Sequence, residues 1–299
     1  MHQSKKIAVI GSINMDLTAR AERLPGKGET VSADDLRYVS GGKGANQAVA
    51  AARLGGDVTM FGCVGDDAFA DQLIENLKQN GVDTTHIRKI PGVSSGIAMI
   101  TVASLSADNC IVVVPGANRN VTPAYVDDLR DAILEADILM LQNEIPSETV
   151  AHVIDLGHRA GKTILYNPAP AAPLPVGAME KISYLTPNEH EAALLFPEDR
   201  ELSSLLEAYG GKLIVTLGEQ GAAAWENGEL LHIPARPAHV VDTTGAGDTF
   251  NGAFAFALAE GYGFQRALRF SNVAASLSTE RPGAQGGMPT RDEVETCEE

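Results

Sequence analysis

Asp242-Thr243-Thr244-Gly245-Ala246-Gly247-Asp248-Thr249-Phe250-Asn251 places two glycines and an aspartate at the head of a long apolar run. Gly245 and Gly247 allow a tight turn in which successive amides point at one spot. The run that follows, Ala246 to Ala259, predicts a helix whose free N–H groups and positive dipole end face that same spot. Backbone alone therefore predicts an anion site. An aspartate at its mouth competes with a bound phosphate unless it has a task there. That task is taking a proton from a hydroxyl that attacks the phosphate. The plainer reading is that Asp248 only caps or opens the helix. Residue types leave both readings open.

A second stretch, Gly41-Gly42-Lys43-Gly44-Ala45-Asn46-Gln47, repeats the pattern of glycines followed by a helix. Flexible backbone, one cation and two amide side chains suit a polyhydroxylated or anionic ligand. A glycine turn with a solvated lysine is the alternative. Asn14 and Asp16 follow the first apolar strand, Ile7 to Ile10, by a few residues. Ligands in open α/β sheets sit just beyond the carboxyl ends of strands, although both residues also suit a turn.

Further strands are predicted at 30–38, 95–104 and 109–114, with helices at 45–54 and 68–79 between them. Beyond residue 120 the pattern turns to alternation. Strands are expected at 138–141, 163–166, 184–186 and 213–216. Ser147 is expected to cap a helix running to about residue 160, and Asn188 a shorter one. Helices at 246–259 and 265–279 close the chain. Such alternation predicts an α/β fold with a mostly parallel central sheet flanked by helices on both faces. No linker divides residues 1–299, so one domain with a small early β element is expected.

The net charge of −16 argues against nucleic acid or an anionic membrane as the main partner. No apolar run approaches the roughly 18 residues of a membrane span, and Gly11 and Asn14 interrupt the N-terminal apolar stretch where a signal peptide would continue. Cys63, Cys110 and Cys297 lack ligand spacing and read as reduced thiols of a cytoplasmic protein. The seven histidines form no zinc-like pattern. Three lookalikes fall away. The run from Gly157 to Thr163 is one residue too short for a Walker A loop and leads from helix to strand. Gln47 and Phe250 stand where a dinucleotide fingerprint needs its third glycine. The sequon at Asn120 means nothing without a secretory signal.

Taken together, the two glycine stretches resemble the signatures of the ribokinase family of sugar and nucleoside kinases, about 200 residues apart and in the family's order. Asn14-Met15-Asp16, Asn188-Glu189-His190-Glu191 and Thr216 to Gly221 add matches, so the resemblance covers essentially the whole chain. It implies a small β-sheet lid, with strands near 17–39 and 95–114, whose pairing between two copies makes a homodimer. Asn14, Asp16, Glu144 and the Gly42-to-Asn46 run resemble the ribose-directed members more than those acting on adenosine or fructose. The implied reaction moves the γ-phosphoryl group of ATP to O5 of ribose, with deoxyribose, fructose or a nucleoside as the alternative acceptors. A sensing protein without catalysis is the alternative of another class.

The resemblance also distributes roles. Asp248 is the implied general base, and Gly245, Ala246 and Gly247 supply the amides around the transferring group. Asn14, Asp16, Gly42, Lys43, Gly44, Ala45, Asn46, Glu144 and Asp248 surround the sugar. Asn188, Thr216, Leu217, Gly218, Glu219, Gln220, Gly221, Gly247 and Asn272 line the nucleotide; relatives commonly have an adenine-contacting histidine where Asn272 stands. Glu191 is implied to hold magnesium through water. Potassium is implied near the anion site, on Asp242, Thr244, Ser278, Arg281, Gly283 and Gly287.

Overall fold

The computed structural model describes residues 4–105, 108–197 and 201–298; positions 106 and 107, inside the second expected lid span, lie outside the described residues. Its strands in chain order are β1 (Lys6–Ile10), β2 (Asn14–Ala21), β3 (Ala33–Gly41), β4 (Asp57–Val64), β5 (Ile87–Lys89), β6 (Gly96–Ala103), β7 (Asn109–Val114), β8 (Ile138–Leu141), β9 (Thr163–Tyr166), β10 (Tyr184–Leu185), β11 (Ile214–Thr216), β12 (Ala222–Glu226) and β13 (Glu229–Ile233).

Six of them form a parallel sheet in the order β10-β9-β8-β1-β4-β5. Parallel bridges Leu185–Leu213 and Asn188–Thr216 join it to the antiparallel trio β11-β12-β13. The central strands are apolar at nearly every position because both faces are covered. Alternation along β1 divides its residues between two cores. Ile7 and Val9 pack with Phe250, Phe254, Phe256 and Phe270. Ala8 and Ile10 pack on the other side with Tyr125, Val150, Val153 and Leu206. The same period of two sends Ile138 and Met140 of β8 one way, and Leu139 and Leu141 the other.

Helices Lys43–Arg53, Ala246–Ala259 and Phe264–Ser278 cover the phenylalanine side. The first two approach unusually closely. A Cβ placed on Gly252 would stand 2.5 Å from Ala50 Cβ and 2.7 Å from the Gln47 carbonyl. Only glycine permits that approach.

The second, smaller sheet has the order β3-β2-β6-β7 and spans the segments where the lid strands are expected. The structure extends the expected strands here. Asn14 and Asp16, which also suited a turn, lie in β2, paired antiparallel to β3 and parallel to β6. That pairing joins residues some 25 and 80 positions apart, so nothing local announces it. β3 occupies 33–41 instead of 30–38. β4 and β5, not anticipated, belong to the parallel sheet, and helices Ala284–Gly287 and Arg291–Glu298 follow the pair expected to end the chain. Ser147 does not cap its helix: Pro146 holds the cap position, and its carbonyl accepts from Thr149 and Val150 N–H. Asn188 does cap the helix Glu189–Leu195, in a reciprocal capping box with Glu191.

Candidate active site

Four of the predicted site residues lie at or just beyond the carboxyl ends of strands: Asn14 after β1, Glu144 after β8, Asn188 after β10 and Thr216 at the end of β11. β1 lies between β8 and β4, and the chain leaves it through the lid, so the crevice opens at a switch of strand order. The helix Lys43–Arg53 starts at this crevice. Gly42 at its N-cap has no side chain to offer, and the missing acceptors come from elsewhere. Glu144 Oε2 accepts from Lys43 N–H (3.0 Å), and Ser12 Oγ accepts from Gly44 N–H (3.2 Å). Ser12 Oγ in turn donates to the same Glu144 oxygen at 2.5 Å. Glu144 was expected as a sugar ligand; one of its oxygens is already occupied in building the turn.

The second helix starts at Gly245, whose φ of +79° is a left-handed conformation suited to glycine. Asp248, in the first turn, is 6% exposed. Its carboxylate does not cap its own helix. Oδ2 accepts from Asn46 Nδ2 (2.9 Å) and Oδ1 from Gln47 Nε2 (3.1 Å), both on the facing helix. The side chain is therefore turned away from its own helix start and toward the helix Lys43–Arg53. The two amides anticipated as ligand contacts, Asn46 and Gln47, both hold Asp248.

Charge here is densely one-signed. Asp16, in β2, lies against Gly41, whose Cβ position is 2.3 Å from the Asp16 carboxylate. Burial, then the negative charges of Glu144 and Asp248, push Asp16 up to about 7, with Lys43 only partly opposing them. Lys43 is held above its ordinary range by Asp248 and, more weakly, by Glu144, Glu191 and Asp16, against the effect of burial. Burial raises Glu191 as well, although it accepts the Asn188 N–H. Asn14 completes the floor, taking a hydrogen bond from Asn118 Nδ2 (2.7 Å).

The nucleotide-side residues come together as a neighbouring shelf. Asn188 and Thr216 are bridge partners, and the turn Gly218–Gln220 leads to Gly221, whose amide carbonyl accepts from Leu217. Asn272 is placed differently: it is 4% exposed and donates to the Ile233 carbonyl (2.8 Å), so its amide secures the end of β13. Around the anion turn, Asp242 accepts from Thr244 N–H (2.9 Å) and Gly283 N–H (2.8 Å). Burial alone would raise it; these hydrogen bonds outweigh burial and hold it below the usual carboxylate range. The Gly287 Cβ position is 2.2 Å from Ser278 O and 3.3 Å from Arg281 O, so two carbonyls converge on that glycine.

Sequence reasoning missed the supports: Ser12, Asn118, Gln142, Asn167 and Gln285. Gln285 Nε2 donates to Asn46 Oδ1 (3.0 Å), and Gln142 Nε2 to Gln47 Oε1 (2.6 Å). Their one legible sign was position, since Gln142 and Asn167 each stand first after an apolar strand.

Comparison with known proteins agrees with this geometry. The pfkB family carbohydrate kinase profile matches residues 4–291. Ribokinase from Bacillus subtilis (strain 168) is 50% identical over 291 residues, covering 97% of this chain and 98% of that protein. Ribokinase from Lactococcus lactis is 47% identical, covering 97% and 95%. Arabidopsis thaliana ribokinase, solved with ribose and ATP, superposes with a TM-score of 0.90 at 33% identity over 98% of each chain. The chain belongs to the pfkB family of carbohydrate kinases.

Proposed function

We propose that this chain phosphorylates ribose at O5 with ATP, and that Asp248 is the general base. The observation that carries the reading is a buried carboxylate at a helix N-terminus, held through both oxygens by neutral amides and faced by one lysine. Two sides of the site fit the two substrates. Asn14, Asp16, Lys43, Asn46 and Glu144, with the Gly42–Ala45 backbone, present acceptors and donors to a small polyol. Asn188 and the Thr216–Gly221 shelf border the nucleotide. The O5 proton passes to Asp248 as O5 bonds to the γ-phosphorus, the bond to the β-phosphate oxygen breaks, and ADP leaves. Amides of Gly245, Gly247 and Asp248 would stabilise the transferring group by about 3–4 kcal/mol per donor; Ala246 N–H, implied as a fourth, instead donates to the Thr243 carbonyl (3.2 Å). Lys43 adds a cation to the same space.

Two ions belong to the reading. Magnesium, when bound, neutralises the β and γ oxygens; Glu191, half-buried and within the electrostatic reach of Lys43, is the residue that would hold its waters. Potassium fits the converging Ser278 and Arg281 carbonyls beside the ionised Asp242, with Thr244, Gly283 and Gly287 completing the loop pair. It would fix the anion turn from behind. The lid supports a homodimer: Leu36, Tyr38, Met99 and the run Ile111–Val114 are 39–52% exposed, an apolar surface that a second lid would cover. Among the described residues no helix is long and apolar enough to cross a membrane.

Asp248→Asn should leave ribose binding intact and lower turnover by about 10²–10⁴-fold, the usual contribution of a general base. Steady-state kinetics with ribose and ATP check it; half of wild-type turnover would remove Asp248 from that role.

Turnover should rise with potassium and less with sodium, measured in buffers free of other monovalent cations. Equal rates with and without potassium would exclude the site at Asp242.

The protein should sediment as a dimer, and Val112→Asp combined with Val113→Asp, one substitution per lid face, should give monomers. A wild type that stays monomeric at tens of micromolar (about the range where a stable interface closes) excludes the lid dimer.

Asp16 ties sugar choice to pH. Its ionised form accepts from two ribose hydroxyls, O2 and O3, so catalytic efficiency toward ribose should fall as pH drops below about 7. A sugar lacking one hydroxyl loses a hydrogen bond to a charged group, about 1.5–3 kcal/mol or roughly 10–150-fold. 2-Deoxyribose should therefore be the poorer substrate, and Asp16→Ala should narrow the gap; an unchanged gap takes Asp16 out of the sugar site. Stability moves the other way. The native state holds this proton more tightly than the unfolded chain, so the contribution of Asp16 is full at low pH and lost as pH rises through about 7. Asp16→Asn should thus raise the melting temperature at pH 8 and leave it unchanged near pH 4.

A further inference from the structure

Gln47 is 1% exposed, and every polar atom of its side chain is engaged. Oε1 accepts from Gln142 Nε2 at 2.6 Å. The two Nε2 hydrogens go to Asn167 Oδ1 and Asp248 Oδ1, each at 3.1 Å. Asn167 is fixed in turn by donating Nδ2 to the Thr186 carbonyl (2.8 Å). Thr186 Oγ1 donates to Asn251 Oδ1 (2.6 Å), and Asn251 Nδ2 donates to the Gly247 carbonyl (2.8 Å). Gln142, Asn167 and Thr186 are the first residues after the neighbouring strands β8, β9 and β10. One chain of hydrogen bonds therefore runs along the carboxyl edge of the sheet, branches at Gln47 to touch Asp248 and returns to the turn that carries Asp248.

The chain has a fixed polarity. Rotating the Gln47 amide by half a turn would set its oxygen against Asp248 Oδ1 and Asn167 Oδ1 and its nitrogen against Gln142 Nε2, opposing three hydrogen bonds at once. A buried network in which every polar atom of Gln47 is engaged holds that side chain in one geometry. We propose that Gln47 is a positioning residue of the reaction: it orients the Asp248 carboxylate toward the sugar hydroxyl, using the sheet edge as its reference. A neutral donor suits that task. It stabilises the carboxylate while leaving it basic, whereas a cation in direct contact would suppress its basicity far more. Each Asp248 oxygen spends one acceptor direction on an amide and keeps another for the incoming proton.

The inference rests on Asp248 being the base, and the test separates the two claims. The single-turnover rate of phosphoryl transfer is measured against pH at saturating ribose and ATP, so that Asp16 is covered by sugar throughout. Gln47→Met keeps the volume and removes the donor. It should slow transfer by about 10–100-fold through misplacement of the base, and move the acid limb up by about one pH unit, because a carboxylate that loses a donor is protonated more readily. Ribose affinity should stay within about threefold, the mark of a group acting on the transition state only. In the Asp248→Asn background the same substitution should change the residual rate by less than about threefold, since residues that act as a unit are not additive. Gln47→Glu, which sets a second carboxylate beside Asp248, should move the acid limb further up; it carries the same test should Gln47→Met not fold. An unmoved acid limb in a folded variant, or equal losses in both backgrounds, overturns the role of Gln47. Wild-type transfer by Asp248→Asn alone overturns the base assignment instead.

Discussion

The close contact between the helices Lys43–Arg53 and Ala246–Ala259 at Gly252 is the constraint on which the site depends. Helix axes ordinarily lie 8–10 Å apart, set by the side chains between them. Here hydrogen faces Ala50 and the Gln47 carbonyl, and no larger group fits. That closeness allows short amide side chains on one helix to reach a carboxylate on the other without water between. A wider spacing would strand Asp248 in a buried pocket with its charge unpaired, which is costly. The tight pair is held by ordinary core packing, with Phe250, Phe254, Phe256 and Phe270 buried around it. Catalytic geometry and hydrophobic core are thus parts of one object.

An acidic protein that handles phosphate needs a local reversal of its field. The chain carries 39 acidic against 23 basic residues, and its crevice gathers Asp16, Glu144, Glu191 and Asp248 around Lys43. The reversal comes mostly from backbone. Two glycine-started helices point their N-termini at the crevice, where partial positive charge is fixed and costs nothing to reorganise. Lys43 lies in the field of these carboxylates, Asp248 foremost, which holds it in the charged form against the effect of burial. Asp16 bears the cost of the arrangement: its pKa is raised first by burial and then by the like charges of Glu144 and Asp248, with Lys43 opposing them only in part.

What could be read from the sequence was what depends on neighbours in the chain. Gly245, Gly247 and Asp248 stand within four residues, and Asn188 and Glu191 form a local capping box, so turn, helix and candidate base were all legible. The alternating strands and helices after residue 120 declared themselves through apolar period. The rest is made of contacts that no local rule encodes. Asn14 and Asp16 are turn-prone types that become a strand only because β3 and β6 offer partners. Glu144 looks like a lone acid after β8, yet it finishes a helix that begins a hundred residues earlier. Asn272 sits in a helix with nothing to mark it as the anchor of β13. Gln285 and Gln142 reach Asn46 and Gln47 across 239 and 95 residues.

The helix Lys43–Arg53 then acts as the ruler of the reaction. Lys43 and Gln47 are four residues apart, on one face and about one turn, or 5.4 Å, along the axis. At the first position the helix meets the sugar floor, where Lys43 N–H is fixed by Glu144 and Gly44 N–H by Ser12. One turn on, Asn46 and Gln47 fix the base. The separation between the proposed sugar site and the proposed base is therefore a property of helical rise. Loops need not hold it. Glu144 links the two ends chemically: the oxygen that completes the helix start belongs to the same carboxylate whose other oxygen is free for a sugar hydroxyl. A ligand that draws on Glu144 acts on the very turn that sets the ruler's origin.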